Sequence, residues 1–380
     1  MVMSLYKIFK LLCIPIIIVM LFSGCKDSNN LKDIIIVEGM GIDSNEQGGT
    51  NLSIRMLNVA KSASNGEAPS GIMTQKITDK GESLVEAISF MSKKLSKDLF
   101  FGQTKIVVIG KSVAEAGMDE HLDYFLRSTD TRSDVALCLS DTTASKILDS
   151  KEHESRVPCE NILYLLQNSE AAGFSAYITT GQVLNLYNDK TSDIYIPVLK
   201  GDKNNEGVTA EGIAVFSNDK MTAVLNDEET NGFLLIADKV HNFKMKFEDE
   251  RFGKVGVEFF DIKVKNHATV ENSQIVFKSY IYADMIIDEI ENDYQTSISI
   301  DESILLCQLA GRQLEKNCKA AFSACQNAGS DSLRVGEYVA RDLPQSYEKC
   351  SDNWKDYFKS SKIEPKAEVS IKKITESTKN

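Results

Sequence analysis

Apolar and polar residues follow two rhythms along this chain, one with a period of two and one with the period of a helix. Ile34–Val37 is an unbroken apolar run of strand length, and Asn51–Leu57 alternates apolar with polar. A strand–loop–strand unit is expected there, with Gly39, Gly41, Gly48 and Gly49 serving to reverse the chain. Leu84, Ile88, Met91 and Leu95 recur at spacings of four, three and four, which marks one face of a helix beginning near Glu82. Ile106–Ile109 reads as an interior strand. A helix from about Val113 would bury Leu122, Phe125 and Leu126, and Asp134–Leu139 reads as a further strand. Helical patterns run to Leu148, through Ile162–Leu166 and through Val183–Leu186. Ser192–Leu199 is extended, and Pro197 suggests an edge position because proline cannot donate to a strand ladder.

Gly201–Gly207 contains no apolar residue and is the best candidate boundary. Beyond it, strand signals occupy 208–216, 221–225, 239–247, 254–264 and 275–287, with Asn226 placed to cap a short helix. A long helix is expected over 301–328, a charged helix around Trp354 and a last strand near Val369. The pattern predicts an α+β chain with two main lobes, either able to subdivide, built from mixed or antiparallel sheets and packed helices. Its divisions are 1–24, 25–32, a 33–200 N-terminal α/β region and a 207–376 C-terminal α+β domain.

The first residues bear on location. Lys7 and Lys10 precede twelve uncharged, mostly apolar residues, Leu11–Phe22, and then Ser23-Gly24-Cys25. Twelve helical residues reach only about 18 Å, short of the roughly 30 Å hydrocarbon core, so an export signal is expected rather than a membrane span. Small residues ahead of a cysteine resemble the bacterial lipobox, which implies cleavage between Gly24 and Cys25 and acylation of Cys25. Residues 25–32 then form a polar tether. Removing residues 1–24, with their two lysines, takes the formal charge from −12 to −14. An acidic body gains nothing from anionic headgroups, so attachment falls to the acyl chains. The same balance argues against nucleic acid as a partner.

Chemistry-bearing motifs are sparse. Gly39-x-Gly41-x-x-Ser44 has the opening of a dinucleotide fingerprint but is followed by a turn and a strand, not by a helix. His153-Glu154 lacks the second histidine of a zinc-protease helix, and Gly173-Phe-Ser175-Ala-Tyr177 lacks the second glycine of a nucleophile elbow. Asp119, Glu120, His121 and Asp123 would point around several faces of one helix. Cys307, Cys318 and Cys325 share an azimuth with Ile304, Leu314, Ala321 and Phe322, the apolar stripe of the long helix. At axial separations of about 16 and 10 Å no two of these thiols can bridge, so buried free thiols are expected. No catalytic residue, metal ligand or cofactor is assigned.

Several segments taken together are similar to the Ger(x)C family, the C-subunit lipoproteins of spore germinant receptors. They are the lipobox cysteine, Val37-Glu-Gly-Met-Gly-Ile-Asp43, Leu99-Phe-Phe-Gly102, the strand 105–110, and Leu122-Asp-Tyr-Phe-Leu-Arg127 followed by Arg132. Glu211-Gly-Ile-Ala-Val-Phe216, the Glu228-Glu229…Gly232 helix and Trp354 continue the pattern. The resemblance implies a non-catalytic subunit anchored to the outer face of the inner spore membrane, working with polytopic A- and B-type receptor subunits. Phe100, Phe101, Gly102, Phe125, Leu126 and Arg127 are its candidate structural or partner-contact motif. The alternative is a solute-binding lipoprotein of a transporter, which requires two similar α/β lobes around a ligand cleft.

Overall fold

A strand buried on both faces needs no alternation, and the first strand shows it: β1 (Ile34–Ser44) is enclosed from Val37 to Asp43. The computed structural model describes residues 33–58, 73–128, 130–150, 158–201, 207–291 and 298–372. The expected signal segment, Gly24, Cys25 and the tether lie outside these. The chain reverses after β1 at Asn45–Gly49, where the Asn45 side-chain oxygen accepts the N–H groups of Gln47 and Gly49 and Gly48 takes φ +85°. Gly39 and Gly41 therefore lie inside the strand, not in the turn, which corrects the sequence expectation.

β2 (Thr50–Asn58) returns antiparallel to β1, and β3 (Met73–Gly81) pairs with β2. The apolar pattern carries no sign of β3, whose apolar residues are Met73 and Ile77 alone. Next come α1 (Leu84–Lys93), β4 (Asp98–Phe100), β5 (Ile106–Ile109), α2 (Lys111–Ala116), α3 (Asp119–Arg127) and β6 (Ala136–Ser140). They are followed by α4 (Ala144–Leu148), α5 (Pro158–Ala171), α6 (Thr180–Asn188), β7 (Tyr195–Gly201), β8 (Val208–Ser217) and β9 (Lys220–Leu225). The nine strands form one sheet in the order β3-β2-β1-β5-β6-β7-β8-β9, with β4 on β1. β1, β5, β6 and β7 run parallel, whereas β3 on β2, β2 on β1, β8 on β7 and β9 on β8 are antiparallel. Helices cover both faces: Ile106 and Val108 pack with Ile147, Leu148, Ile162 and Leu166, while Val107 and Ile109 join the opposite core with Val113, Leu122 and Phe125.

Three expectations change here. The helix expected from Val113 is two, broken where Gly117 takes φ +125°, and Leu126 on the second is 52% exposed rather than buried. Pro197 is not on an edge strand, since β7 lies between β6 and β8. It is tolerated because the β8 register shifts between Pro197 and Leu199 and the β6 pairing begins only at Val198. The polar segment 201–207 joins β7 to β8, antiparallel neighbours in one sheet.

The second sheet is smaller. Asn226 and Glu229 form a capping box on α7 (Asp227–Ile236). β10 (Phe243–Asp249), β11 (Gly253–Glu271) and β12 (Gln274–Ile290) then make a meander. α8 (Ile300–Ala328), α9 (Val335–Asp342), α10 (Pro344–Cys350) and α11 (Trp354–Ser360) precede β13 (Lys362–Ile371), which pairs parallel to β12 in the order β10-β11-β12-β13. The fold is α+β in two unlike sheet groups.

The α8 stripe buries Leu314, Cys318, Ala321, Phe322 and Cys325. Ile304 is 53% exposed and Cys307 half-buried, because the Cys307 thiol already lies level with Ile371, the last residue of β13. All six cysteines among the described residues are free thiols.

Candidate functional site

The Glu38–Asp43 stretch of β1 explains its own composition. Helix α4 has no side-chain cap of its own; instead Asp43 accepts the N–H groups of Ala144 and Ser145 at 2.7 and 3.0 Å. Glu38 does the same for α5, accepting the Cys159 N–H at 2.6 Å. At the other end of α4, the Arg55 guanidinium donates to the Leu148 carbonyl. Bringing two helix starts onto one strand requires that strand to lack side chains. A Cβ on Gly39 would lie 2.5 Å from the Cys159 Sγ, and one on Gly41 2.9 Å from the Leu148 Cδ1. Burial pushes both the Glu38 and Asp43 carboxyls above the usual carboxylate range, against the pull of the backbone N–H groups. Where a dinucleotide site would hold a phosphate at a helix start, the chain's own carboxylates are installed.

The aromatic motif divides into inward and outward halves. Phe101 and Phe125 are buried in the main core. Phe100 is 39% exposed and Leu126 52% exposed. The Phe100 ring lies over Gly102, where a Cβ would come within 2.6 Å of its Cζ, so the glycine lets the ring fold back on the chain. Arg127 pairs with Asp123 at 2.8 Å on the exposed side of α3.

Sequence reasoning missed a third cluster. Asp331, fully buried, accepts the N–H groups of Val335 and Gly336 at 2.8 and 2.7 Å and the Trp354 indole N–H at 2.8 Å. Its own N–H donates to Asp193 Oδ2 at 2.9 Å, and the Asp193 N–H donates to the Asp331 carbonyl at 3.1 Å. Lys355 lies 3.4 Å from Asp193. Burial raises the Asp331 carboxyl to about 7 despite three N–H donors. This node stitches the start of β7 to α9 and α11. The chain's single tryptophan was the available signal, and Gly336 another: a Cβ there would meet the Thr191 carbonyl oxygen at 2.4 Å.

The remaining chemistry is inert in form. Burial raises the thiols of Cys138, Cys159, Cys318 and Cys325, leaving them unionised and enclosed. Among the described residues no three His, Cys, Asp or Glu side chains are grouped to hold a metal ion. Asp119, Glu120, His121 and Asp123 are not brought together: Asp119 bonds Tyr187, His121 faces Thr50 and Asp123 holds Arg127. A polar cleft of about 650 Å³ beside Trp354 is lined by Asp189, Asp193, Asp352, Asp356 and two lysines, without histidine or cysteine.

Fold and site define a two-sheet α+β scaffold whose buried polar side chains cap helices and stitch segments together. Two family models cover it in tandem: spore germination protein N-terminal domain over residues 27–201, and spore germination B3/GerAC-like, C-terminal, over residues 211–375. Spore germination protein KC of Bacillus subtilis (strain 168) is 25% identical over 93% of each chain, and spore germination protein B3 of the same organism 20% identical over 92% of this chain and 93% of that one. The crystal structure of the GerBC protein shares the fold at TM-score 0.58 and 16% identity, covering 88% of this chain and 97% of the other. The chain belongs to the Ger(x)C family of spore germination proteins.

Proposed function

We propose that this chain is a non-catalytic lipoprotein subunit of a spore germinant receptor, assembling with polytopic A- and B-type subunits and needed for their assembly or signalling. It is exported, cut between Gly24 and Cys25 and held by acyl chains on Cys25 at the outer face of the inner spore membrane. The observation that carries this reading is the tandem match of both spore germination domains across almost the whole chain after the signal-like segment. The commitment of Glu38, Asp43 and Asp331 to backbone N–H groups supports a scaffold role over a catalytic one. The two sheets, one of nine strands and one of four, are not the pair of similar lobes that a solute-binding lipoprotein requires.

The test is Cys25→Ala in the full chain. Fractionated spores should show it released from the membrane pellet, with the germination response to nutrients lost. A variant that stays wholly membrane-bound and germinates normally refutes the anchoring role.

A further inference from the structure

The open face of the small sheet can be laid out row by row, because the strand registers fix which side chains stand side by side. On β12 the odd positions turn inward: Phe277 stacks on Phe322 of α8, and Ile281, Ala283 and Met285 are buried. Tyr280 and Tyr282 therefore point to the opposite face, where Tyr282 is 38% exposed. Tyr280 stands between Lys265 of β11 and Lys366 of β13. Tyr282 stands in the same way between Lys263 and Glu368. Direct contacts bear out the shared face: the His267 ring stacks on Tyr280 at 5.3 Å, and the Lys265 ammonium lies 5.9 Å from the Tyr282 ring centre. Lys263, Lys265, Lys366 and Glu368 are all exposed.

Charge is spread unevenly over this face. On one side of the tyrosine rows Lys278 pairs with Glu271 and Glu364 at 2.5 and 3.9 Å. On the other side Lys372 holds Asp284 and Asp261 at 2.6 and 3.0 Å. Towards β10, Lys244 takes Glu258 and Asp288. Lys263, Lys265 and Lys366 have no ion-pair partner among the described residues. The two tyrosine rows thus carry three unpaired ammonium groups against one carboxylate, in a chain whose formal charge is −12. Neighbouring strands lie about 4.8 Å apart, so the lysines of β11 and β13 rise from lines roughly 10 Å apart with the two rings between them.

We infer that these two rows are a docking surface for an acidic segment of a partner protein. The segment lies extended along β12, its carboxylates on the flanking lysines and an apolar or aromatic side chain on the tyrosines. A strip roughly 10 Å wide matches one extended chain. A flat anionic bilayer fits worse: covering the whole face would press it onto Glu368 and onto the carboxylates gathered around Lys278, Lys372 and Lys244. Tyrosine is enriched in protein interfaces, and charge matching across them sets orientation and encounter rate. This surface depends neither on the anchor at Cys25 nor on the receptor assignment.

The test titrates the purified full-length chain with a fluorescein-labelled octapeptide, two central phenylalanines flanked on each side by three glutamates, and reads anisotropy. Binding should saturate, and a peptide with glutamine in place of glutamate should bind at least tenfold more weakly. Lys263→Glu, Lys265→Glu and Lys366→Glu together should weaken binding at least tenfold at an unchanged unfolding midpoint. Lys80→Glu, Lys220→Glu and Lys319→Glu make the same change of charge at exposed lysines on β3, β9 and α8, and should weaken it less than threefold. Should the first triple fail to fold, Lys263→Gln, Lys265→Gln and Lys366→Gln together should still cost at least fivefold. Absence of saturable binding, or equal losses from the two glutamate triples, overturns the inference. So does a first triple that keeps the peptide but loses phosphatidylglycerol vesicles tenfold more than the second, which would make the face a lipid contact.

Discussion

Gly232→Ala isolates one close approach in the C-terminal half. Gly232 sits on α7 where that helix crosses α8, and a Cβ built on it would stand 1.9 Å from the Asn317 carbonyl oxygen, 2.3 Å from its carbon and 2.8 Å from the Cys318 nitrogen. All three are backbone atoms of a 29-residue helix, so no side chain can rotate away. Reaching an ordinary contact requires the two helices to part by roughly 1 Å or more, which loosens the buried seam where the Cys318 thiol meets the Gly232 carbonyl. Overpacking of this kind costs about 1–3 kcal/mol and sometimes more. Replacing an interior helical glycine returns about 1 kcal/mol of helix propensity. The steric loss should prevail, leaving the variant about 2 kcal/mol less stable by urea unfolding at unchanged m. Gly311→Ala on α8 is the reference, because the nearest atom to its Cβ would be the Ala367 carbonyl oxygen at 3.1 Å, its other neighbours lie at ordinary contact distance, and a few tenths of an ångström suffice. It should fall within about 1 kcal/mol of wild type. If Gly232→Ala proves as stable as Gly311→Ala, backbone contact does not set the helix crossing.

Two further outcomes follow from the buried carboxylates. Trp354→Phe removes the indole donor from Asp331, leaving a buried carboxyl with one partner fewer, and should lower stability by about 2–3 kcal/mol; a loss below about 1 kcal/mol would mean the node holds without it. Glu38, Asp43 and Asp331 all have folded pKa values raised by burial, so the folded state binds protons more tightly than the unfolded chain. Their contribution is fully present below about pH 4 and is lost as pH rises towards about 7, the folded value for Asp331. The urea midpoint should therefore be lower at about pH 8 than at about pH 5, and a midpoint that rises over that interval contradicts the assignment.

What the chain's pattern disclosed, and what it hid, divides along physical lines. The Ile106–Ile109 run was legible because strands buried on both faces must be apolar throughout. The 29 residues of α8 were legible because apolar residues kept in phase at helical spacing over that length fit no strand. β3 was illegible: it lies at the edge of its sheet, and its inward positions are filled by polar side chains that find partners, Thr74 on Arg55, Lys76 on Ser145 and Asp79 on Lys94, so no apolar alternation marks it. Leu126 and Ile304 were misplaced by the same assumption, that an apolar residue in phase with a stripe is covered. Coverage ends where the neighbouring element ends, and helical spacing carries no record of that.

The glycines of β1 show a deeper limit. Gly39 and Gly41 looked like loop residues because a glycine in a strand pattern usually marks a break. Their reason lies more than a hundred residues downstream, in Ala144, Leu148 and Cys159, which need the space. Glu38 and Asp43 look equally misplaced in a buried strand until the helix starts they cap arrive beside them. A stretch that breaks strand rules at four of six positions was therefore the strongest local sign of function in the fold, and that function is assembly. The same logic separates Phe101 from Phe100: adjacent, identical in type, one fixed by the core and one left facing outward.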